Sequence, residues 1–297
     1  HNDYTSNQIM MLSLARRLGV EVLRADDLPE GGVDPGSVRK LAAHPRCRLV
    51  ALTWVPTNSG LVQAAQEVGE ICEAAGVPYL LDACQAVGQL PVDVKRLGCD
   101  FLAGTARKFL RGPRGIGFLY VSDRALERGM APLFPDMHGA GLVSEERFEL
   151  APGACRFENW EFPFALVLGL GAAARYALDE GLGAGSPRSV ALAAGLRERL
   201  AALPEVEVAD VGANRCAIVT AEAHGWDARD LVQALRRVGV NTSAANRGGG
   251  PLLRLGDERR PLLRISPHYY NTNDEIDRAL DALAELLRRG PAEAVHA

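Results

Sequence analysis

Short apolar runs alternate with helix-periodic segments through the first 121 residues, and that alternation restricts the fold more than any other feature. Val20–Arg24 reads as a short strand, and Arg48–Val55 is an apolar run rich in β-formers. Val62–Ala75 repeats apolar residues at helical spacing and stops at Gly76. Tyr79–Ala83 is again a buried strand, Val92–Leu97 a short helix, and Phe101–Gly104 and Ile116–Val121 two further strands. Strands without polar alternation, separated by helices, predict an α/β fold with a mainly parallel sheet covered on both faces.

The pattern then changes. Ala165–Leu182 is apolar around most of its circumference and predicts a buried helix. Gly183–Pro187 reads as a linker. Beyond it come a helix (Ser189–Leu203), a strand (Cys216–Ala221), a helix (Ala228–Val238), a glycine-rich loop (Arg247–Gly250), a strand (Leu262–Ser266) and a helix (Asp274–Arg289). This order predicts a large domain over residues 1–183 and a small α+β domain over 184–297.

Composition excludes several functions. The net charge is −4 with both signs dispersed, and no basic cluster is interleaved with aromatics, so no nucleic-acid partner is expected. No apolar run reaches about 18 residues, so no membrane helix is expected. His1–Gln8 is polar and does not resemble a signal peptide. Cys47, Cys72, Cys84, Cys99, Cys155 and Cys216 are scattered, with no metal-ligand spacing. They read as reduced, partly buried residues, which makes a cytoplasmic location the expectation and leaves no metal site.

Two segments carry the chemistry. In Tyr79-Leu-Leu-Asp82-Ala-Cys-Gln85, a carboxylate ends a buried strand, where open α/β sheets bind ligands. A carboxylate there needs a partner. A pyridinium N–H is one, and Asp82 would keep such a ring protonated and electron-withdrawing. Gln85 is spaced to reach a ring hydroxyl. Taken alone, Asp82 also reads as a cap for the following turn. In Thr105-Ala-Arg107-Lys108-Phe-Leu-Arg-Gly112, the lysine lies beside apolar Phe109 and Leu110, which favours the neutral, nucleophilic amine. Thr105 and Arg107 offer a hydroxyl and a guanidinium for a phosphate. Taken alone, Arg107-Lys108 also reads as a surface pair before a Gly-Pro turn. No GK[ST] follows the glycines, which excludes a Walker loop.

Together, the stretch DACQAVGQLPVDVKRLGCDFLAGTARKFLRGPRGIGFLYV resembles the class V aminotransferase family of fold-type I pyridoxal 5′-phosphate (PLP) enzymes, which includes the cysteine desulfurases. Further matches are Asp3–Asn7, Val55–Gly60, Arg156-Phe-Glu158 and Arg264–Thr272. The resemblance implies that Lys108 carries the cofactor as a Schiff base, with Asp82 on the pyridine nitrogen and Gln85 on the ring oxygen. Thr105 and Arg107 would hold the phosphate, Arg107 standing where many relatives have His. Tyr4 takes the place of the group that stacks on the ring, and also reads as a surface tyrosine. Thr57 or Asn58 takes the ring-contacting loop position, and also reads as a plain turn. Arg264 matches the arginine that clamps the substrate carboxylate, and also reads as a structural ion-pair member. A homodimer is implied, with Trp160 at its interface or in the core.

Two departures shape the expected reaction. Cysteine desulfurases carry a nucleophilic Cys on a loop before the Arg264 strand, and residues 241–261 contain none. The family's N-terminal Gly-Thr-rich phosphate loop is absent, so an upstream portion is expected to be missing from this chain. The sequence therefore favours an amino-acid C–S lyase acting by β-elimination, or an aminotransferase. A cysteine desulfurase or selenocysteine lyase is disfavoured. An epimerase and a non-catalytic module of the same fold stay open.

Overall fold

The computed structural model describes residues 2–245 and 261–294. In chain order the elements are α1 (Thr5–Leu18), α2 (Pro35–Ala42), β1 (Val50–Thr53), α3 (Ala65–Ala75), β2 (Tyr79–Asp82), α4 (Val94–Leu97), β3 (Phe101–Thr105), β4 (Gly117–Val121) and α5 (Asp123–Glu127). They continue with β5 (Ala140–Ser144), β6 (Arg147–Leu150), α6 (Phe164–Asp179), α7 (Pro187–Ala201), β7 (Val206–Val208), β8 (Val219–Ala223), α8 (Ala228–Arg237), β9 (Ser243–Ala245), β10 (Leu262–Ile265) and α9 (Asn273–Ala294). They fall into two compact units. One contains residues 39–52 and 65–184; the other contains the described residues of 1–38, 53–64 and 185–297.

The first unit is built on a sheet of order β1-β2-β3-β4. β2 and β3 are parallel, with Asp82 opposite Ala103. β3 and β4 are antiparallel, with Thr105 opposite Gly117. The sheet is thus mixed. The β3–β4 link is a helix-free turn, shorter than the crossover of a dozen or more residues that a parallel return needs. α3 buries Val68, Ile71 and Cys72 and stops at Gly76, whose φ is 65°. α4 is capped by Asp93, which accepts the N–H groups of Lys95 and Arg96. A Cβ at Gly69 would collide with the Leu97 carbonyl, so glycine is what lets α3 and α4 approach.

One buried carboxylate secures the edge of this sheet where β2 and β3 begin. Asp100 accepts from Tyr79 N–H (3.0 Å), Ser122 Oγ (2.9 Å) and Arg124 Nε (2.7 Å). It therefore ties the starts of β2 and β3 to the end of β4. Burial alone would push its pKa up, but the bonds from Arg124, Tyr79 and Ser122 outweigh burial and hold it below the usual carboxylate value.

The second unit contains an antiparallel sheet of order β7-β8-β10-β9 with α7 and α8 against it and α9 packed on those two helices. Its core includes Leu196, Leu200, Ile218, Leu231, Leu235 and Leu263, all fully buried. Arg197 and Asp210 pair inside that core at 2.7 Å, with side chains 9% and 0% exposed.

Two expectations are corrected. Val20–Arg24 forms no strand; Val20 and Leu23 are exposed and find no sheet edge to join. The apolar α6 is not buried: among its described residues only Ala177 is, while Phe164 and Leu168 stand open. Its hydrophobicity reflects a surface that nothing in this unit covers.

Asp100→Asn should destabilise the chain by about 1–3 kcal/mol at pH 7, through weakened bonds to buried donors. Because folding lowers this carboxyl's pKa, its ionised form favours the folded state. That contribution is complete above the unfolded value of about 3.9 and disappears as pH falls through the lower folded value. Urea unfolding of both proteins should therefore show the gap closing below about pH 4.

Candidate active site

The strand pairing sets where the candidate residues emerge. β2 and β3 run the same way, so their carboxyl ends lie side by side. Asp82 ends β2 and Thr105 ends β3. The loops that follow carry Gln85 on one side, and Arg107 and Lys108 on the other. Asp82, Thr105 and Lys108 are half-buried, Gln85 is buried and Arg107 is exposed.

The turn-capping role of Asp82 is present: its Oδ1 accepts the Cys84 N–H at 2.9 Å. Ala83 N–H bonds the Ala103 carbonyl at 2.9 Å, extending the pairing past the end of β2. The Cys84 thiol reports how close the charged groups are. Burial and then the Asp82 carboxylate push its pKa up to about 12, while Lys108 and Arg107 pull the other way. Asp82, Arg107 and Lys108 thus share one electrostatic environment, and Cys84 stays a protonated thiol within it. None of the six cysteines forms a disulfide.

The Lys108 loop is a closed turn. Arg111 N–H bonds the Lys108 carbonyl at 2.9 Å, and Gly112 N–H bonds the Ala106 carbonyl at 2.7 Å. Arg111 adopts a left-handed conformation at φ 62° to permit this. Phe109 and Leu110 are buried, so the lysine is held on an apolar footing.

The other candidates belong to the second unit. Tyr4 is exposed at the start of α1, with its N–H 3.1 Å from Thr53 Oγ1. Thr57 and Asn58 form a half-buried turn. That turn is anchored from far along the chain, because Asp210 accepts the Gly60 N–H at 3.0 Å. Asp210 also takes bonds from Thr220 N–H and Oγ1, and Arg197 bonds the Cys216 carbonyl at 2.8 Å. A Cβ at Gly60 would strike the Ile218 carbonyl and the Arg197 guanidinium. The sequence reading missed this anchor, since its members are 150 residues apart.

Arg264 lies on β10, opposite Thr220 and Ser243. Its Nε is buried and has no hydrogen-bond partner among the described residues. Burial lowers its pKa, opposed by Cys216. The ion-pair reading thus finds no carboxylate partner for Nε there. The glycine-rich stretch Arg247–Gly250, and most of the 241–261 loop that precedes the Arg264 strand, lie outside the described residues. Trp160 is 56% exposed, with its N–H on Asp136 Oδ2 at 2.7 Å, so it is not a core residue. Arg156 donates to the Leu126, Met130 and Ala151 carbonyls, a structural use.

The first unit therefore presents a carboxylate, an amide, a hydroxyl, a guanidinium and an amine from two adjacent strand ends, a donor set suited to a phosphorylated pyridine aldehyde. Loss of the Arg197–Asp210 pair tests the loop anchor. Asp210→Ala should cost about 3–5 kcal/mol in urea unfolding, because it leaves a buried guanidinium uncompensated.

Comparison with known proteins agrees. The family model described as Aminotransferase class-V matches residues 1–279. A probable cysteine desulfurase of Methanothermobacter thermautotrophicus is 30% identical over 296 residues, covering 97% of this chain and 72% of that protein. The isopenicillin N epimerase of Streptomyces clavuligerus is 30% identical, covering 96% of this chain and 72% of that protein. The apo structure of a cysteine desulfurase from Thermococcus onnurineus superposes with a TM-score of 0.84 at 26% identity, covering 96% of this chain and 71% of that one. The chain belongs to the class-V aminotransferase family and is a PLP-dependent enzyme of fold-type I.

Proposed function

We propose that this enzyme cleaves the carbon–sulfur bond of a cysteine-type amino acid. The observation that carries the reading is the buried Arg264 Nε without a hydrogen-bond partner among the described residues. A desolvated guanidinium is costly, and a substrate α-carboxylate bound bidentately would offset that cost. When bound, PLP supplies a protonated ring that withdraws electrons from the substrate's α carbon.

The chain's own residues do the rest. Asp82 holds the proton on the ring nitrogen, and Gln85 donates to the ring oxygen. Thr105 and Arg107 bind the phosphate. Tyr4 covers the ring, and Thr57 or Asn58 contacts its edge. With PLP bound, Lys108 Nζ would be its point of attachment and would serve as the base for the α proton. Arg264 would clamp the substrate α-carboxylate.

The names of the relatives favour desulfuration, in which cysteine gives alanine and the sulfur leaves to an acceptor. This corrects the weighting drawn from the sequence alone, which placed elimination first. One observation keeps elimination as a second reading: residues 241–261 hold no Cys to carry the sulfur. Elimination gives pyruvate, ammonia and sulfide instead. A homodimer is part of the proposal, supported by the apolar Leu142, Phe148, Phe164 and Leu168 that the hairpin and α6 leave exposed. Among the described residues no helix is long and apolar enough to cross a membrane.

Incubation with cysteine and a thiol should yield alanine and sulfide in equal amounts; pyruvate and ammonia in place of alanine would select elimination. Lys108→Ala should lower turnover by about 10²–10⁴-fold or more, and borohydride reduction of the wild type should leave a pyridoxyl group on Lys108. Unchanged turnover would remove Lys108 from the mechanism. Arg264→Ala should lower kcat/KM by about 10–100-fold, mostly through KM, in steady-state kinetics. A loss confined to kcat would refute the clamp.

A further inference from the structure

We propose that Gly88 and Gln89 are positioning residues for the cofactor. They lock the loop that carries Gln85 onto the loop that carries Lys108. The inference rests on the assignment of Lys108, Asp82 and Gln85 above, and adds what keeps those three in register.

The loop after β2 is a tight coil. Ala86 and Val87 N–H groups bond the Ala83 carbonyl at 2.9 and 3.0 Å, and Gln89 and Leu90 N–H groups bond the Ala86 carbonyl at 3.0 and 2.9 Å. Ala83, Ala86 and Gln89 are almost wholly buried. At its crest Gly88 adopts φ 91°, a left-handed conformation that disfavours side chains.

A Cβ on Gly88 would overlap the Phe109 carbonyl group and the Leu110 nitrogen. These are main-chain atoms of the Phe109–Leu110 peptide, one residue past Lys108. They cannot swing aside as a side-chain tip can. The Lys108 turn has little freedom to retreat, being closed by its own hydrogen bonds and seated on buried Phe109 and Leu110. Gln89 adds the second tie: its side-chain amide donates to the Gln85 carbonyl. One face of the coil thus abuts the lysine turn, and its interior holds the main chain of Gln85.

The consequence is geometric. Main-chain contact between the two loops thus limits how far Lys108 can move from Asp82 and Gln85. A methyl group at position 88 would drive the two loops apart and displace the amine from the ring that Asp82 and Gln85 hold. Misplacement by about 1 Å is enough to cost a reacting site orders of magnitude.

The test uses the full chain with Gly88→Ala, Gln89→Leu and, as a control, Gly141→Ala, where an added Cβ meets nothing within 4 Å. Each protein is freed of cofactor, checked for folding by urea midpoint, titrated with PLP and scanned for the pH midpoint of the bound chromophore. Folded Gly88→Ala should bind PLP about tenfold or more weakly and shift that midpoint. Gln89→Leu should move both readouts the same way by less, and Gly141→Ala should match the wild type. A role in stability alone would lower the urea midpoint and leave the chromophore midpoint in place, which would overturn the proposal. If Gly88→Ala does not fold, Gln89→Leu decides it, and unchanged affinity and midpoint there overturn it. Wild-type protein that takes no pyridoxyl tag at Lys108 on reduction would sink the underlying assignment as well. A tag at Lys108 with unaltered variants would sink the positioning role alone.

Discussion

The parallel pairing of β2 with β3 is the constraint on which the rest depends. It places Asp82 beside Ala103 and sends two loops out of the same edge of one sheet. An antiparallel arrangement would have put the acidic residue and the lysine at opposite edges. The Asp100 cluster fixes the other edge, where β2 and β3 begin, so the strands cannot slide against each other without breaking three hydrogen bonds to one buried carboxylate. A one-residue slip would also turn Asp82 to the opposite face of the sheet.

Buried charge is handled in two ways in this chain. Asp100 with Arg124, and Asp210 with Arg197, are satisfied networks in which the carboxylate also accepts main-chain N–H groups. Such networks hold elements together because removing either partner leaves a desolvated charge. Arg264 differs. It is desolvated, and its Nε has no such partner among the described residues. In a unit that pairs Arg197 so fully, an arginine left short of an acceptor marks a place where a ligand's carboxylate is more apt than a structural one.

The first unit also shows where glycine substitutes for a side-chain interaction. Gly69 admits the Leu97 carbonyl, and Gly88 admits the main chain after Lys108. Both are contacts between main chains, as rigid as anything the fold offers.

Much of this was legible in the residues. The apolar runs became β1 to β4, bounded by the turn residues, although β4 leaves Phe118 and Leu119 exposed. Asp82, Gln85, Thr105, Arg107 and Lys108 could be proposed from the residues because their spacing from strand ends is local and leaves a pattern; the structure sets the ends of those two strands side by side. The segment Val20–Arg24 misled because β-propensity does not say whether a sheet edge is within reach. The α6 helix misled because apolar composition records a need for cover and not what provides it. The Gly60–Asp210 anchor left no trace, as its members are 150 residues apart and each is unremarkable alone. By itself, then, the sequence determined the chemical groups and the strands that deliver them, since both are written in neighbouring residues. The tertiary structure alone decided which strand ends share an edge, that the buried Arg264 Nε has no acceptor among the described residues, and that Gly88 backs the lysine turn, since close approach of main chains is a property of folded space.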